Sequence, residues 1–482
     1  MIAPGRNYDV VVIGSGPAGQ NAAVEAASCG ARVLIIERER HVGGACVQYG
    51  TIPSKTLRET AVTLTAFRRR SGGVYEISHD NQLSVASLMT RLDEVVGAHQ
   101  TAAQQALDMS GVERARGKAA FVSPHEVAIK DVMGQTTIVT ANHIVIATGS
   151  RPRSPDNIAV DHENIMDSDS VLSMTYLPRS MVVLGSGVIA CEYASTFASL
   201  GVQVTMIDKW PAPLGFLDKD LVDVFLNHFQ SGKSQFLGRR NVTSIDWDGI
   251  SSVRVHFAEG PMMTADKALI AQGRVANIES LDIGRAGLTA TERDLLAVNQ
   301  YCQTSVPHIY AVGDAIGPPA LASASMEQGR RAVRHAIRGA AAASSELIPA
   351  GIYTIPEMAT IGLTEAQAIE QFGSALVGSV PFDRLARAHI MASAGGLLKM
   401  VADPTGRKLL GVQIVGDGAT ELVHLGQMAM IGDLPVDSFA TTVFNFPTMA
   451  EAYRLAALDI IHHREASNRA ADVEDLLSVP VG

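Results

Sequence analysis

The chain is short of the features that announce several kinds of protein. Its 482 residues include only four cysteines, Cys29, Cys46, Cys191 and Cys302, and no two of them form a CxxC pair. That excludes a disulfide scaffold and a zinc-ribbon type of site, and no metal is expected. Acidic residues outnumber basic ones, for a net charge of −10, so the basic footprint of a nucleic-acid binder is missing. No apolar run approaches the ~20 residues needed to cross a bilayer. Residues 1–8 lack the basic-then-apolar order of a secretory signal. These absences lead to the expectation of a cytoplasmic protein with neither nucleic-acid nor membrane partners.

The remaining composition is that of a globular protein with large cores: 47% of residues are hydrophobic and 18% charged. The length suggests two to four domains. Tyr8 to Ile13 is a short β-branched run that reads as a buried parallel strand. Gly14-Ser15-Gly16-Pro17-Ala18-Gly19 follows at once, then an Ala-rich helical stretch, then a second strand ending at Glu37. Each glycine has a physical task. Gly14 permits the turn, Gly16 lets the backbone approach a pyrophosphate, and Gly19 lets helix and strand pack closely. The helix N-terminus offers unpaired N–H groups to that anion, and Glu37 offers a carboxylate to ribose hydroxyls. The pattern then recurs. Met181 to Leu184 leads into Gly185-Ser186-Gly187-Val188-Ile189-Ala190, and Val202 to Ile207 ends at Asp208. Asp208 stands as far beyond Ala190 as Glu37 stands beyond Gly19. Two such units in one chain imply two dinucleotides bound together.

The stretch Gly43-Gly44-Ala45-Cys46-Val47-Gln48-Tyr49-Gly50-Thr51-Ile52-Pro53-Ser54-Lys55 resembles the active-site segment of the class I flavoprotein disulfide reductases. Those enzymes carry a redox pair of cysteines there. Cys46 stands at the first of the two positions and Thr51 at the second. A hydroxyl can form neither a disulfide nor an accessible thiolate. Near the C-terminus, Asn445-Phe446-Pro447-Thr448-Met449-Ala450-Glu451 matches the family segment that bears the thiol acid/base histidine, but Phe446 holds the histidine position. Both thiol-chemistry parts are absent while the dinucleotide-binding parts remain. GTIPSKTLR at Gly50–Arg58, SMEQGR at Ser325–Arg330, GIYTIPE at Gly351–Glu357 and FNFPTMAEAYRLAALD at Phe444–Asp459 resemble one branch of the family, the soluble Si-specific pyridine nucleotide transhydrogenases.

That resemblance, which covers roughly residues 7 to 462, implies an α/β fold. It would have two Rossmann-like dinucleotide-binding domains, for FAD and NAD(P), and a C-terminal α+β dimerisation domain. The expected division is an FAD-binding domain over 1–155 and 277–346, an NAD(P)-binding domain over 156–276, a dimerisation domain over 347–465 and an acidic tail over 466–482. The small polar run 340–346 is the expected boundary. The implied activity is hydride exchange between NAD(H) and NADP(H) through FAD, in a homodimer. Lys55 and Glu192 match a lysine–glutamate pair beside the flavin, so Lys55, Glu192, Thr51 and Cys46 are the candidate catalytic positions. Gly14, Gly16, Gly19, Glu37, Gly44, Thr51, Lys55, Gly149 in the ATGSRP turn, Asp314 in IYAVGD and Ala322 in LASASMEQGRR are expected at the flavin dinucleotide. Gly185, Gly187, Asp208 and Gly273 complete the cofactor-binding set, the first three for NAD or NADP. Asp208 favours a free 2′-hydroxyl over a 2′-phosphate. It therefore keeps open a second reading, an NADH-preferring flavin reductase or diaphorase that serves quinones, dyes, metals or oxygen. A third, a flavin-bound redox sensor, leaves the Lys55–Glu192 pair without a task.

Overall fold

The computed structural model of the protein describes residues 5–70, 85–339, 347–393 and 395–478. The boundary expected at 340–346 lies outside the described residues. Packing groups the chain into two compact units, Met1–Leu57, Leu83–Tyr176 and Ala271–Ser345 in one, and Arg58–Gln82, Leu177–Ile270 and Glu346–Gly482 in the other.

The first unit is built on β1 (Asn7–Ile13), α1 (Pro17–Ser28), β2 (Val33–Glu37), α2 (Gly44–Gln48), α3 (Thr51–Arg70), α4 (Val85–Met109), β3 (Glu113–Arg116), β4 (Lys118–Ser123), β5 (Glu126–Lys130) and β6 (Thr136–Ile146). Only the first turns of α3, as far as Leu57, belong to this unit. Its sheet runs β3-β2-β1-β6-β5-β4, with Ile309–Ala311 paired to the end of β6 on the edge away from β1. β1 is parallel to both neighbours, with Val11 opposite Leu34 and Ile144. Val10, Val11 and Val12 are wholly buried, as an unbroken β-branched run between two covered faces requires. Ile309–Ala311 pairs in parallel with Ile144–Ile146. A strand near residue 310 therefore lies one strand away from β1, across β6, and Asp314 emerges near the first glycine turn, where a Cβ on Gly313 would lie 3.4 Å from the Ala18 Cβ. Two close approaches fix that turn. A Cβ on Gly19 would stand 1.9 Å from the Gly14 carbonyl oxygen. One on Gly329, in the helix Ala322–Arg338, would stand 2.2 Å from the Ala18 carbonyl oxygen. Helices α1 and Ala322–Arg338 thus meet backbone to backbone.

The second unit repeats the parallel motif. Gln235–Leu237, Gln203–Ile207, Ser180–Leu184 and Lys267–Ile270 lie side by side in that order, all parallel. An antiparallel meander follows in sequence, Val242–Trp247, Val253–Phe257 and Met263–Ala265. The C-terminal part is an antiparallel sheet ordered Ala350–Ile352, Met358–Gly362, Leu409–Val415, Leu397–Ala402, Leu376–Pro381. Its core joins Phe382, Leu398, Met400, Val412 and Ile414 to Val423 and Tyr453 of the helices Ala419–Ile431 and Glu451–Ser478. Lys399 stands apart from that core, on the opposite face of its strand from Leu398 and Met400. It is 3% exposed, and its ammonium reaches Glu365 at 2.5 Å, Asp220 at 2.7 Å and Asp218 at 3.5 Å. Asp218 stands at the N-cap position of the helix Lys219–Phe229, without a capping hydrogen bond from its side chain, and Asp220 lies in its first turn, so one buried charge straps the nucleotide half of this unit to the C-terminal sheet. The last helix also runs past residue 465, through most of the segment read as a tail, to Ser478. Good helix formers such as Ala and Glu sustain it there without an apolar face. Residues 479–482 lie outside the described set.

Candidate dinucleotide-binding site

In the first unit the glycine turn forms a cradle. Gly14 has φ +102°, and a Cβ there would lie 2.3 Å from the Ala147 carbonyl oxygen. Gly16 behaves differently. A Cβ there would meet no protein atom nearer than the Gly44 Cα at 4.0 Å, so the space in front of it is left for something else. α1 starts at Pro17 with no side-chain cap, and its first N–H groups keep their donors for an anion. The helix Ala322–Arg338 likewise begins without a side-chain cap or an acid in its first turn. Glu37, at the end of β2, accepts hydrogen bonds from Ser15 N (2.9 Å) and Ser15 Oγ (2.5 Å), which tie this acid to the turn. Asp314 accepts from Ser150 Oγ at 2.5 Å, and Ser150 Oγ accepts in turn from Arg274 Nε at 2.7 Å. Thr148 Oγ1 is buried and has no hydrogen-bond partner among the described residues. Gly149, next to it, has φ +65°, and a Cβ there would meet nothing within 4 Å. Gly273 is equally open, at φ +102°; its carbonyl accepts from Arg153 N at 3.0 Å. An open glycine, two uncapped helix starts, two acids held by serines and an orphaned hydroxyl fit a bound dinucleotide such as FAD.

The active-site stretch lies against this cradle. Gly44 has φ +60°, and a Cβ on it would come within 2.7 Å of the Gly16 Cα. Cys46 is half-buried on α2, while Thr51 and Lys55 occupy the first turns of α3. Lys55 Nζ lies 3.5 Å from Ser54 Oγ. Burial pushes the Cys46 thiol up, against the hydrogen bond to Thr51 and the charge of Lys55, which pull it down; Asp314 adds to the rise. A thiol raised above its ordinary range stays protonated near neutral pH and is a poor nucleophile. Thr51 is exposed. Cys46, Thr51, Lys55 and Asp314 therefore belong to one electrostatic neighbourhood, while no described pair of cysteines is bonded.

In the second unit the same geometry recurs. Gly185 has φ +121°. The helix Val188–Ser199 starts at Gly187 with no side-chain cap, and a Cβ on Gly187 would meet nothing within 4 Å. Asp208, half-buried, accepts from Ser186 Oγ at 2.8 Å and from Trp210 N at 3.2 Å. Glu37 and Asp208 are thus each held by the serine at the second position of their own glycine turn. That shared serine was visible in both motifs and its task was missed. Lys209, the neighbour that could offset the acid, lies with its ammonium 5.4 Å from the centre of the Trp210 ring. Glu192 is 8% exposed and accepts from Tyr353 N at 2.8 Å. Ser195 Oγ accepts from Ile355 N at 3.1 Å. The helix that carries Glu192 is thereby pinned to the segment before Met358. Phe446 is 68% exposed, and Glu451 Oε2 faces Thr448 N at 3.5 Å at the start of its helix.

Among the described residues no cluster of His, Cys, Asp and Glu could hold a metal ion, and no helix is long and apolar enough to cross a membrane. Residues 8–329 match the family described as pyridine nucleotide-disulphide oxidoreductase, and residues 348–457 match that family's dimerisation domain. A soluble pyridine nucleotide transhydrogenase of Mycobacterium bovis is 40% identical over 467 residues, 96% of this chain and 99% of its own length. Its namesake in an Enterobacter species is 40% identical over 461 residues, 94% of this chain and 98% of its own. Among solved structures, LpdA of Mycobacterium tuberculosis superposes with a TM-score of 0.86 at 26% identity, covering 94% of this chain and 99% of that one. The HOCl-induced flavoprotein disulfide reductase RclA of Escherichia coli gives 0.84 at 26% identity, covering 93% and 99%. The chain belongs to the pyridine nucleotide-disulphide oxidoreductases, FAD-dependent enzymes acting on pyridine nucleotides, and within them to the branch of its soluble pyridine nucleotide transhydrogenase relatives.

Proposed function

We propose that this enzyme exchanges hydride between NAD(H) and NADP(H) in a ping-pong sequence. The observation that carries the reading is Cys46: a thiol raised by burial, with a threonine where a second sulfur would stand. The residues of the first cradle, Gly14, Gly16, Gly19, Glu37, Gly44, Gly149, Asp314 and Ala322, would hold FAD. When bound, its isoalloxazine takes two electrons and a proton from one nicotinamide and gives them to another. The second glycine turn, Gly185 to Gly187, takes the nicotinamide dinucleotide on its open backbone and on the N–H groups of the helix behind it. The Lys55 ammonium supplies positive charge as charge develops in the transfer. Glu192, oriented by the Tyr353 amide, is its expected partner. Thr51 has a hydroxyl but no redox chemistry, so the thiol side of the site has no electron acceptor. A single turn serves both nucleotides, and one must leave before the other enters.

Asp208 supports a second reading, in which NADH is strongly preferred and the oxidant is a quinone, dye, metal or oxygen. The matched dimerisation domain supports a homodimer. On its helix Ala419–Ile431, Leu425, Met428 and Ile431 are exposed at helical spacing, an apolar stripe suited to burial against a second copy. A cytoplasmic location is proposed from kinship with the soluble transhydrogenases. Initial rates with NADPH and an NAD+ analogue test the sequence of events. Parallel double-reciprocal lines are expected, with each nucleotide in excess inhibiting competitively. Intersecting lines would mean a ternary complex.

A further inference from the structure

The parallel sheet of the second unit sends three strands to the same edge. Ser180–Leu184 leads into the glycine turn, Gln203–Ile207 into Asp208, and the outermost strand, Gln235–Leu237, into Gly238-Arg239-Arg240. In open parallel sheets, ligands sit beyond the carboxyl ends of the strands. The last of these loops is locked to the second by two backbone hydrogen bonds. Arg240 N donates to Asp208 O at 3.0 Å, and Arg239 N donates to Trp210 O at 3.1 Å. The contact is close enough that a Cβ on Gly238 would stand 2.8 Å from the Pro211 carbonyl oxygen. Arg239 is held at φ +58°, a region that residues other than glycine seldom occupy.

These two joined loops carry three cations, Lys209, Arg239 and Arg240, and two of them lie over aromatic rings. Lys209 lies over Trp210, and the Arg240 guanidinium lies 5.2 Å from the centre of the Phe257 ring. Arg239 is exposed, and its side chain makes no hydrogen bond or ion pair among the described residues. We propose that Arg239 reads the 2′-phosphate of NADP(H), while Asp208 serves the ribose hydroxyl of NAD(H), so that one pocket accepts both nucleotides. The inference rests on the reading of the Gly185 turn as the nicotinamide dinucleotide site. Its chemistry is that of a planar guanidinium, a fork of donors matched to phosphate oxygens. Placed one loop away from the acid, it offsets the repulsion between Asp208 and a dianion.

The test uses the flavin-loaded full chain and two probes, adenosine 2′,5′-bisphosphate and 5′-AMP, titrated calorimetrically. The unmodified protein binds both. Arg239→Ala weakens the 2′,5′-bisphosphate by about ten- to a hundredfold, the loss of a charge-assisted contact, and leaves 5′-AMP binding as it was. Arg239→Lys recovers part of the loss, and the KM for NADPH rises in step in the alanine variant. Unchanged bisphosphate binding by Arg239→Ala, or an equal loss of both probes, overturns the assignment. An unmodified protein that binds neither probe overturns the nucleotide-site reading itself, and the assignment with it.

Discussion

Replacing Lys399 with methionine removes the strap between the nucleotide half and the C-terminal sheet of the second unit while keeping an apolar stem of similar length. The three carboxylates do not suffer equally. The side chains of Asp220 and Glu365 are 52% and 40% exposed, so water can replace the ammonium; that of Asp218 is 8% exposed, so it cannot. Without Lys399, Asp218 Oδ2 keeps the Glu365 amide at 3.4 Å. Removing one partner of a buried ion pair costs ~3–5 kcal/mol. With two of the three acids rehydrated, the low end applies, about 3 kcal/mol, or a fall in melting temperature of roughly 6–12 °C for a unit of this size. The pH dependence has a definite sign. Burial already raises the Asp218 pKa and the Lys399 charge pulls it back. In the variant the folded-state pKa climbs further above the unfolded value, so the folded protein binds the extra proton. Stability is then regained as pH falls through that pKa. Thermal melts at one fixed scan rate, at about pH 8 and about pH 5, read both effects. The gap between variant and native protein should be widest at the higher pH. An unchanged melting temperature there, or a gap that grows on acidification, refutes the reasoning.

Three further outcomes are expected. Asp208→Asn should raise the kcat/KM for NADPH relative to NADH by about fivefold, close to the ~1 kcal/mol of a partly exposed charge contact; a ratio that stays put would show that the acid does not set selectivity. Cys46→Ser should keep nearly full transhydrogenase turnover, because the half-buried thiol is raised and has no sulfur partner; near-total loss would restore a thiol mechanism. Gly329→Ala drives a methyl into the Ala18 carbonyl, 2.2 Å away, and should cost ~1–3 kcal/mol or more and loosen flavin retention; a native melting curve with full flavin content would mean that the two helices can part freely.

Much of this molecule was legible in local pattern. The β-branched runs before Gly14 and Gly185, the glycine spacing and the acids Glu37 and Asp208 follow from one βαβ rule applied twice. Contacts set by long-range packing were not legible. Nothing near Asp314 announces that Ser150 will donate to it, or that Arg274 will hold Ser150, because the fold alone brings those segments together. Lys399 did leave a trace, a lone cation inside the apolar strand LLKMVA, but its acids come from two distant helices. The length of the last helix was missed because its far end rests on helix propensity and not on an apolar stripe. Arg239 gave no sequence signal, since its role depends on which strand lies beside Asp208.

The central claim is that electrons entering from one nucleotide leave to the other without a thiol. Anaerobic stopped-flow tests it most directly: mix the flavin-loaded enzyme with one equivalent of NADPH, then with NAD+. The account predicts loss of the oxidised flavin absorbance, its return on adding NAD+ with stoichiometric NADH, and no long-wavelength thiolate-to-flavin band at any time. A bleached flavin that NAD+ cannot restore, or the appearance of that band, would contradict it.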